Sequence, residues 1–346
     1  MRIIRFIFFP FSIIYWCITA IRNRFYDWKI MKASKFDVVS ISVGNLSMGG
    51  TGKSPHIEYL IRLLKQDYKV ATLSRGFGRR ERGFVIADES STAMQIGDEP
   101  LQFYKKFGSE IKIAVEADRV LGAMDLFRQH DDIEVLLLDD AYQHRAIHRD
   151  INILLTDYNQ PFHSDFILPV GNLREGKSGK NRADIVIVTK CPELSNEKKE
   201  RFEQKLKLNQ NQALYFSSVQ YGQVKSFSGE TVDLTGENIV LVTGIAFPKP
   251  FEDFLASQNQ VLKHFKYPDH HKFRKEELNE IHNFIDKFAG ENPVIVTTEK
   301  DAMRLMCSEF EEQTSKYNWV YQTIEVKLDR EEAFKKEVLS YVKKDN

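Results

Sequence analysis

The sequence predicts an α/β fold: a mostly parallel sheet with helices on both faces, a smaller C-terminal α/β domain, and a membrane-associating N-terminal helix. Three observations lead there. Beyond residue 35, short apolar runs of strand length alternate with amphipathic stretches, the signature of β-α-β units. The 346 residues suffice for about two domains with a core in each. The formal charge of zero, from 49 basic and 49 acidic side chains, is unevenly spread.

That unevenness defines the first element. Residues 1–35 carry seven basic side chains, Arg2, Arg5, Arg22, Arg24, Lys29, Lys32 and Lys35, against the single acid Asp27, and the rest of the chain is acidic by the same margin. Between the arginines, residues 6–21 are almost wholly apolar and rich in Phe, Ile, Tyr and Trp. A spanning helix needs about 20 apolar residues, so this shorter stretch with Pro10 suits an interfacial position better than a full span. Anionic lipid attracts the flanking charges by about 1 kcal/mol per Lys or Arg near the surface. A cleaved signal is disfavoured, because bulky residues and then Arg22 and Arg24 follow where small residues mark a cleavage site.

Later elements follow in order. Strands are predicted at 38–43, 70–73, 135–138, 151–155 and 185–188, and helices at 55–65, 99–106 and 119–128. Residues 193–211, rich in Lys, Glu and Gln, read as a solvated helix, and 213–224 with 226–233 as a β connection between domains. A second α/β set starts at 239–242, includes a strand at 294–296, and ends in a Lys- and Glu-rich helix. The divisions are therefore 1–35, 36–225 and 226–346. Composition excludes other classes. A chain 42% hydrophobic is not disordered, and balanced charge argues against a nucleic-acid partner. Cys17, Cys191 and Cys307 are too far apart for a zinc knuckle and too few for a disulfide framework, which suits a reducing cytosolic setting. Nothing calls for an obligate protein partner.

The first strand runs into Gly44-Asn45-Leu46-Ser47-Met48-Gly49-Gly50-Thr51-Gly52-Lys53-Ser54-Pro55 and then a helical pattern. Strand, glycine-rich loop and helix in that order make a phosphate-binding loop, and the fold P-loop NTPase-like. Glycines let backbone N–H groups converge on phosphate oxygens, the helix N-terminus adds its dipole, and Lys53 reaches the β/γ-phosphates of a nucleotide. Ser47, Met48, Gly49, Gly50, Thr51, Gly52, Lys53 and Ser54 are the nucleotide-binding candidates, although Ser47 stands where the usual motif begins with glycine. Ser54 is placed to ligate Mg²⁺, and Pro55 is harmless in a first helical turn. A neighbouring strand supplies the metal's carboxylates, since 135–138 ends in Asp139-Asp140 at the sheet's C-terminal edge.

Asp98, in Gly97-Asp98-Glu99-Pro100, reads equally as a helix cap or a functional carboxylate. His144 and His148 are four apart but lack a third zinc ligand. Pro268-Asp269-His270-His271 is a polar loop after an apolar strand. Lys190 follows a strand and is a candidate for nucleobase contact.

Taken together, these motifs resemble the tetraacyldisaccharide 4'-kinases, which phosphorylate the lipid A precursor. The resemblance rests on Val43-Gly44-Asn45 through Pro55, Leu73-Ser74-Arg75-Gly76-Phe77-Gly78, Gly97-Asp98-Glu99-Pro100, Asp139-Asp140-Ala141-Tyr142-Gln143-His144-Arg145, Arg174-Glu175, Thr243-Gly244-Ile245-Ala246, Pro268-Asp269-His270-His271 and Thr298-Glu299-Lys300-Asp301-Ala302. They run from residue 43 to 302 in the family's order, and the atypical Ser47 is shared by the family. The resemblance implies ATP and Mg²⁺ as cofactors, a glycolipid acceptor, Asp98 as the base for a sugar 4'-hydroxyl, and His270, rather than His271, as its partner across an interdomain cleft. It further implies Lys53, Arg119 and Arg174 as supports for phosphate or developing charge. Ser54, Asp139, Asp140 and Glu175 are implied around the metal. Residues 174–177 match less well, because Gly176-Lys177 replaces the family's proline-containing continuation. The implied location is the cytoplasmic face of a Gram-negative inner membrane, with the N-terminal segment on its anionic surface. Two rivals are a membrane-associated P-loop ATPase or GTPase switch, which has no need of Asp98 or the histidine turn, and a soluble small-molecule kinase, which leaves the N-terminus unexplained.

Overall fold

The computed structural model describes residues 5–288, 290 and 292–343, so Arg2 of the basic segment lies outside the described residues. After a 3₁₀ turn at Phe6–Phe8 come α1 (Phe9–Asp27), β1 (Val39–Asn45), α2 (Lys53–Leu64), β2 (Val70–Ser74), β3 (Val85–Ile86), α3 (Ala93–Ile96) and α4 (Asp98–Phe107). Next are β4 (Lys112–Val115), α5 (Arg119–Gln129), β5 (Val135–Asp139), β6 (Ile151–Asp157), β7 (Ile185–Thr189), α6 (Asn196–Leu206) and β8 (Ala213–Ser226). The chain continues through β9 (Thr231–Val232), β10 (Asn238–Thr243), α7 (Lys249–Ala256), β11 (Gln260–Lys266), α8 (Lys275–Ile285) and β12 (Val294–Thr298). It ends with α9 (Glu299–Leu305), α10 (Glu311–Thr314), β13 (Trp319–Leu328) and α11 (Glu331–Val342).

All of these strands belong to one sheet in the order β11-β10-β12-β13-β8-β7-β6-β1-β5-β2-β4-β3, with β9 on β8. β1 lies between β5 and β6 in parallel register and is buried along its length. Because side chains alternate along a strand, Val135 and Leu137 face α2 and α4 while Leu136 and Leu138 face α5, giving the two helical layers the sequence predicts. The solvated helix lies at α6, where Leu206 is buried.

β8 is the long element. Its first four residues pair in parallel with β7, from Ala213↔Ile185 to Phe216↔Val188. From Ser217↔Leu328 onward it pairs antiparallel with β13. One strand thus belongs to both halves. β13 also returns the chain to the first half, and α11 packs Phe334, Val338 and Val342, at four-residue spacing, into the core built by β1 and α2. A division at residue 225 places this helix with the C-terminal part; its apolar stripe is buried in the N-terminal one.

The helix α1 is inverted relative to an ordinary surface helix. Its polar residues face the protein: Ser12 Oγ donates to the Ile167 carbonyl (3.1 Å), Tyr15 to the Arg174 carbonyl (3.0 Å), and Asn23 Nδ2 to Glu175 (2.7 Å). Arg145 closes the far end on the Asn23 carbonyl and Asp27, both at 2.8 Å. Phe9, Phe11, Ile13, Ile14, Trp16, Ile18 and Ile21 point outward. Hydrogen bonding therefore docks this helix and leaves its apolar face exposed.

A buried ionic cluster fastens α2, α4 and α9. Lys106 Nζ lies 2.6 Å from Glu58 and 2.7 Å from Glu299, and Gln102 Nε2 donates to Glu58 at 2.7 Å. Burial of these carboxylates beside one another pushes Glu299 up to about 7, against the pull of Lys106. Removing the shared cation leaves Glu299 without an ion-pair partner and Glu58 with only the more exposed Arg62, at 3.3 Å. Lys106→Met is expected to lower the unfolding free energy by about 3–5 kcal/mol in urea titrations, and a loss below about 1 kcal/mol would mean that the cluster does not hold these helices together.

Candidate active site

The phosphate loop is shaped by side chains that seize its carbonyls. Thr189 Oγ1 donates to the Thr51 carbonyl (2.9 Å), Lys190 Nζ to the Gly50 carbonyl, and His56 Nδ1 to the Gly52 carbonyl (2.7 Å). Asn45 Nδ2 donates to Thr51 Oγ1 (2.8 Å). Gly52 sits at φ +85°, a left-handed conformation that glycine adopts without strain, and it opens α2 at Lys53. With the carbonyls turned back onto the protein, the amides of Gly50, Gly52, Lys53 and Ser54 have no acceptor among the described residues, as an anion cradle requires. Burial holds His56 neutral. Its Nε2 meets Ser217 Oγ at 3.0 Å, and burial pushes its pKa down to about 4, against the Gly52 hydrogen bond.

At the end of β5, Asp139 is buried and its Oδ1 has no partner. Burial, with the charge of Glu99 added, pushes this carboxyl up to about 7, although Lys53 and Arg119 oppose the shift. Asp140 adopts φ +48° and turns toward Lys53, whose Nζ is 3.7 Å away. Arg174 Nη1 donates to both Asp140 oxygens, at 2.9 and 3.0 Å. An unpartnered buried carboxylate oxygen beside a helix-opening serine is a donor set that suits a hard divalent cation.

Asp98 lies in the first turn of α4, but its carboxylate does not cap that helix. Arg304 of α9 donates to Asp98 Oδ2 from Nε (2.8 Å) and Nη2 (2.6 Å). His270 Nδ1 lies 3.6 Å from the same oxygen, while Lys300 Nζ is 3.0 Å from His270 Nε2. Lysine and arginine can only donate, and both ring nitrogens of His270 face such a donor, Nε2 toward Lys300 and Nδ1 toward Arg304 Nη2 at 3.3 Å. Burial alone would raise the Asp98 pKa. His270 and Arg304 outweigh it, and the carboxyl sits below its ordinary range. His271 is held elsewhere, on Glu277 at 2.9 Å and stacked on Tyr267. His270 is set at φ +57°, and Gly97, at φ +96°, has Phe77 O where a Cβ would come within 3.1 Å, so α4 starts directly against the loop after β2. Glu99, one residue past Asp98, is 3.7 Å from Lys300 and close enough to Asp139 to raise its pKa. The histidine turn, Asp98 and the β5 carboxylates therefore belong to one locality.

Several residues take tasks other than those the sequence implies. Arg119 is buried, and its guanidinium donates to the carbonyls of Glu116, Ala117 and Asp139, which fixes the end of β5, while its Nε has no partner among the described residues. Arg174 neutralises Asp140. Glu175, implied as a metal ligand, has its oxygens occupied by Gln143 (2.9 Å), Arg182 (2.7 Å) and Asn23 (2.7 Å), because a fully buried carboxylate needs such partners. Lys190 pairs with Asp157 (2.9 Å) and holds the loop instead of reaching a nucleobase. His148 pairs with Asp150, and His144 lies 3.8 Å from Asp118. Sequence reasoning missed Arg304, Thr189 and His56. A lone arginine three residues past Asp301 was the available signal for the first; the other two carry none.

A strand-end phosphate loop, a paired acidic strand end and an isolated carboxylate poised beside both define a P-loop phosphotransferase. The LpxK family model, tetraacyldisaccharide-1-P 4'-kinase, matches residues 4–343, and the chain belongs to that family. Its activity is the ATP-dependent 4'-phosphorylation of the lipid A precursor, and the switch reading is not favoured. The chain is 44% identical to the tetraacyldisaccharide 4'-kinase of Flavobacterium johnsoniae, across 100% of this chain and 99% of that one. It is 41% identical to that of Bacteroides thetaiotaomicron, across 97% and 93%. Among solved structures it resembles LpxK from Aquifex aeolicus in complex with ATP, with a TM-score of 0.77 and 28% identity over 98% of this chain and 99% of that one.

The clamp on Asp98 has a consequence for pH. Arg304→Gln removes a charge that lowers the Asp98 pKa, so the acidic limb of the kcat/KM profile is expected to move to higher pH. An unmoved limb, with activity retained, would show that this carboxylate does not control turnover.

Proposed function

We propose that the protein works as a peripheral enzyme on the cytoplasmic face of the inner membrane, with Asp98 as the base for the acceptor hydroxyl. The Asp98 carboxylate, clamped by Arg304 and facing His270, is the observation that carries this reading. Phosphoryl transfer needs positioning and charge stabilisation more than covalent help from the protein. Lys53 and the loop amides bind the β- and γ-phosphates of ATP. Ser54 and Asp139, with Asp140 nearby on Arg174, would hold Mg²⁺, which would supply charge neutralisation. Asp98 takes the proton of the sugar 4'-hydroxyl as its oxygen approaches the γ-phosphorus, and His270, 3.6 Å from Oδ2, flanks the carboxylate. Arg304 keeps Asp98 ionised, and Asp301 steadies Arg304 at 2.9 Å. The inverted helix α1 and its basic flank hold the enzyme at the surface where a multiply acylated sugar resides.

Incubation with labelled ATP and the tetraacyldisaccharide 1-phosphate tests the whole reading. Label is expected in the lipid, and label confined to free phosphate would refute it. Asp98→Ala is expected to retain nucleotide binding while turnover falls roughly 10²–10⁴-fold; undiminished turnover would remove Asp98 from the role of base. Deleting residues 1–30 is expected to weaken sedimentation with anionic liposomes, and equal sedimentation would dismiss the anchor.

A further inference from the structure

At the foot of α1, opposite in the sheet to the phosphate loop, lies a cleft of about 480 Å³. Tyr26, Lys29, Lys32, Arg145, His148 and Arg149 contribute to its lining, and no acidic residue does. Arg149 is the informative member. Its Nε donates to Asn152 Oδ1 and its Nη1 to the His144 carbonyl, both at 3.0 Å, and among the described residues no carboxylate pairs with it. Burial and the nearby charges of Arg182 and Arg145 push its pKa down to about 10, so the cationic form is held at a cost that an anion would offset. Arg145 is satisfied by Asp27, whereas Lys29 and Lys32 are exposed and have no acceptor among the described residues.

Position identifies the kind of anion. The cleft loop joins the beginning of β1, where Ser40 Oγ donates to the His148 carbonyl (3.1 Å) and the Asp150 amide to the Ser40 carbonyl (2.8 Å). The phosphate loop leaves the other end of β1 after Asn45. At about 3.3 Å per residue the two ends stand roughly 17 Å apart along the strand, so the cleft is not part of the phosphoryl-transfer centre. Trp28, Ile30 and Met31, all exposed, continue the apolar face of α1 down to its mouth. A phosphate carried by a molecule whose chains lie in the same apolar layer fits that arrangement; a freely soluble anion has no use for it.

We propose that this cleft binds the headgroup phosphate of an anionic glycerophospholipid of the surrounding bilayer, with Arg149 as the forked donor and Lys29 and Lys32 closing over it. The site goes beyond the phosphoryl-transfer reading and rests on the membrane placement of α1 proposed above. It converts diffuse attraction into a fixed orientation, pinning the C-terminal end of α1 at headgroup depth.

The test uses the full chain and vesicles of phosphatidylcholine with or without phosphatidylglycerol. Lys29→Gln/Lys32→Gln is expected to reduce the phosphatidylglycerol-dependent partitioning well beyond the about thirtyfold that diffuse attraction gives for two charges. The charge-matched control Arg24→Gln/Lys35→Gln, which lies off the cleft, is expected to lose several-fold less. Arg149→Lys keeps the charge but loses the fork, and is expected to reduce the same partitioning by about tenfold while its nucleotide binding stays intact. Equal losses in the two double variants, with Arg149→Lys unchanged, would reduce the effect to a diffuse field and overturn the site. A raised KM for the acceptor lipid in neutral micelles, with vesicle binding unaltered, would assign the cleft to the acceptor's own phosphate and also overturn the proposal.

Discussion

Every distance between the two halves of the active site is set by β8. A strand that pairs with β7 over four residues and with β13 over the rest makes one sheet of two, so the histidine turn and α9 arrive at α4 by hydrogen-bonded register and not by a flexible linker. Ser217, where β8 changes partners, also receives His56 from the first turn of α2. The same junction therefore touches the phosphate loop. The buried cluster of Glu58, Lys106 and Glu299 repeats the tie on the side of the helices, where opposite charges removed from water hold one another strongly.

The loop itself works by a division of polarity. Each carbonyl drawn back by Thr189, Lys190 or His56 frees an adjacent amide to point forward, and a loop bristling with unpaired N–H groups attracts phosphate oxygens before any side chain acts. Around it, non-glycine residues adopt left-handed backbone at Asp140, Lys190 and His270. All three follow strands or strand ends that converge on the site. Strain of that kind, on the order of 1–3 kcal/mol at each position, persists only where surrounding contacts enforce it.

The N-terminal helix reaches the phosphate loop through a single segment. Ser12, Tyr15 and Asn23 bond to residues 167–175, and that segment bonds in turn to the phosphate loop, through Met48 N to the Asn172 carbonyl and Arg174 N to the Leu46 carbonyl, both at 2.7 Å. The docking face is polar and the free face, with Phe11, Ile14 and Ile18, is apolar and exposed, so the placement of residues 167–175 rests on hydrogen bonds from this helix.

What the sequence determined by itself was local. The alternation that builds β1, β5, β6 and β7, the glycines and Lys53 of the loop, the acids after β5, and the basic apolar N-terminus are each visible in a short window, because period, turn chemistry and charge act between near neighbours. The resemblance to one kinase family added Asp98 and the histidine turn, whose residues are too ordinary to stand out alone. Tertiary structure decided the rest. Arg304 reaches Asp98 across 206 positions, Thr189 reaches the loop across 138, and α11 crosses back into the first core. It also set Arg119 on the Asp139 carbonyl and Glu175 on Arg182, since a buried guanidinium or carboxylate is drawn to whichever carbonyl or countercharge the fold brings within about 3 Å. No window of sequence contains that partner, because only the packed sheet puts it there.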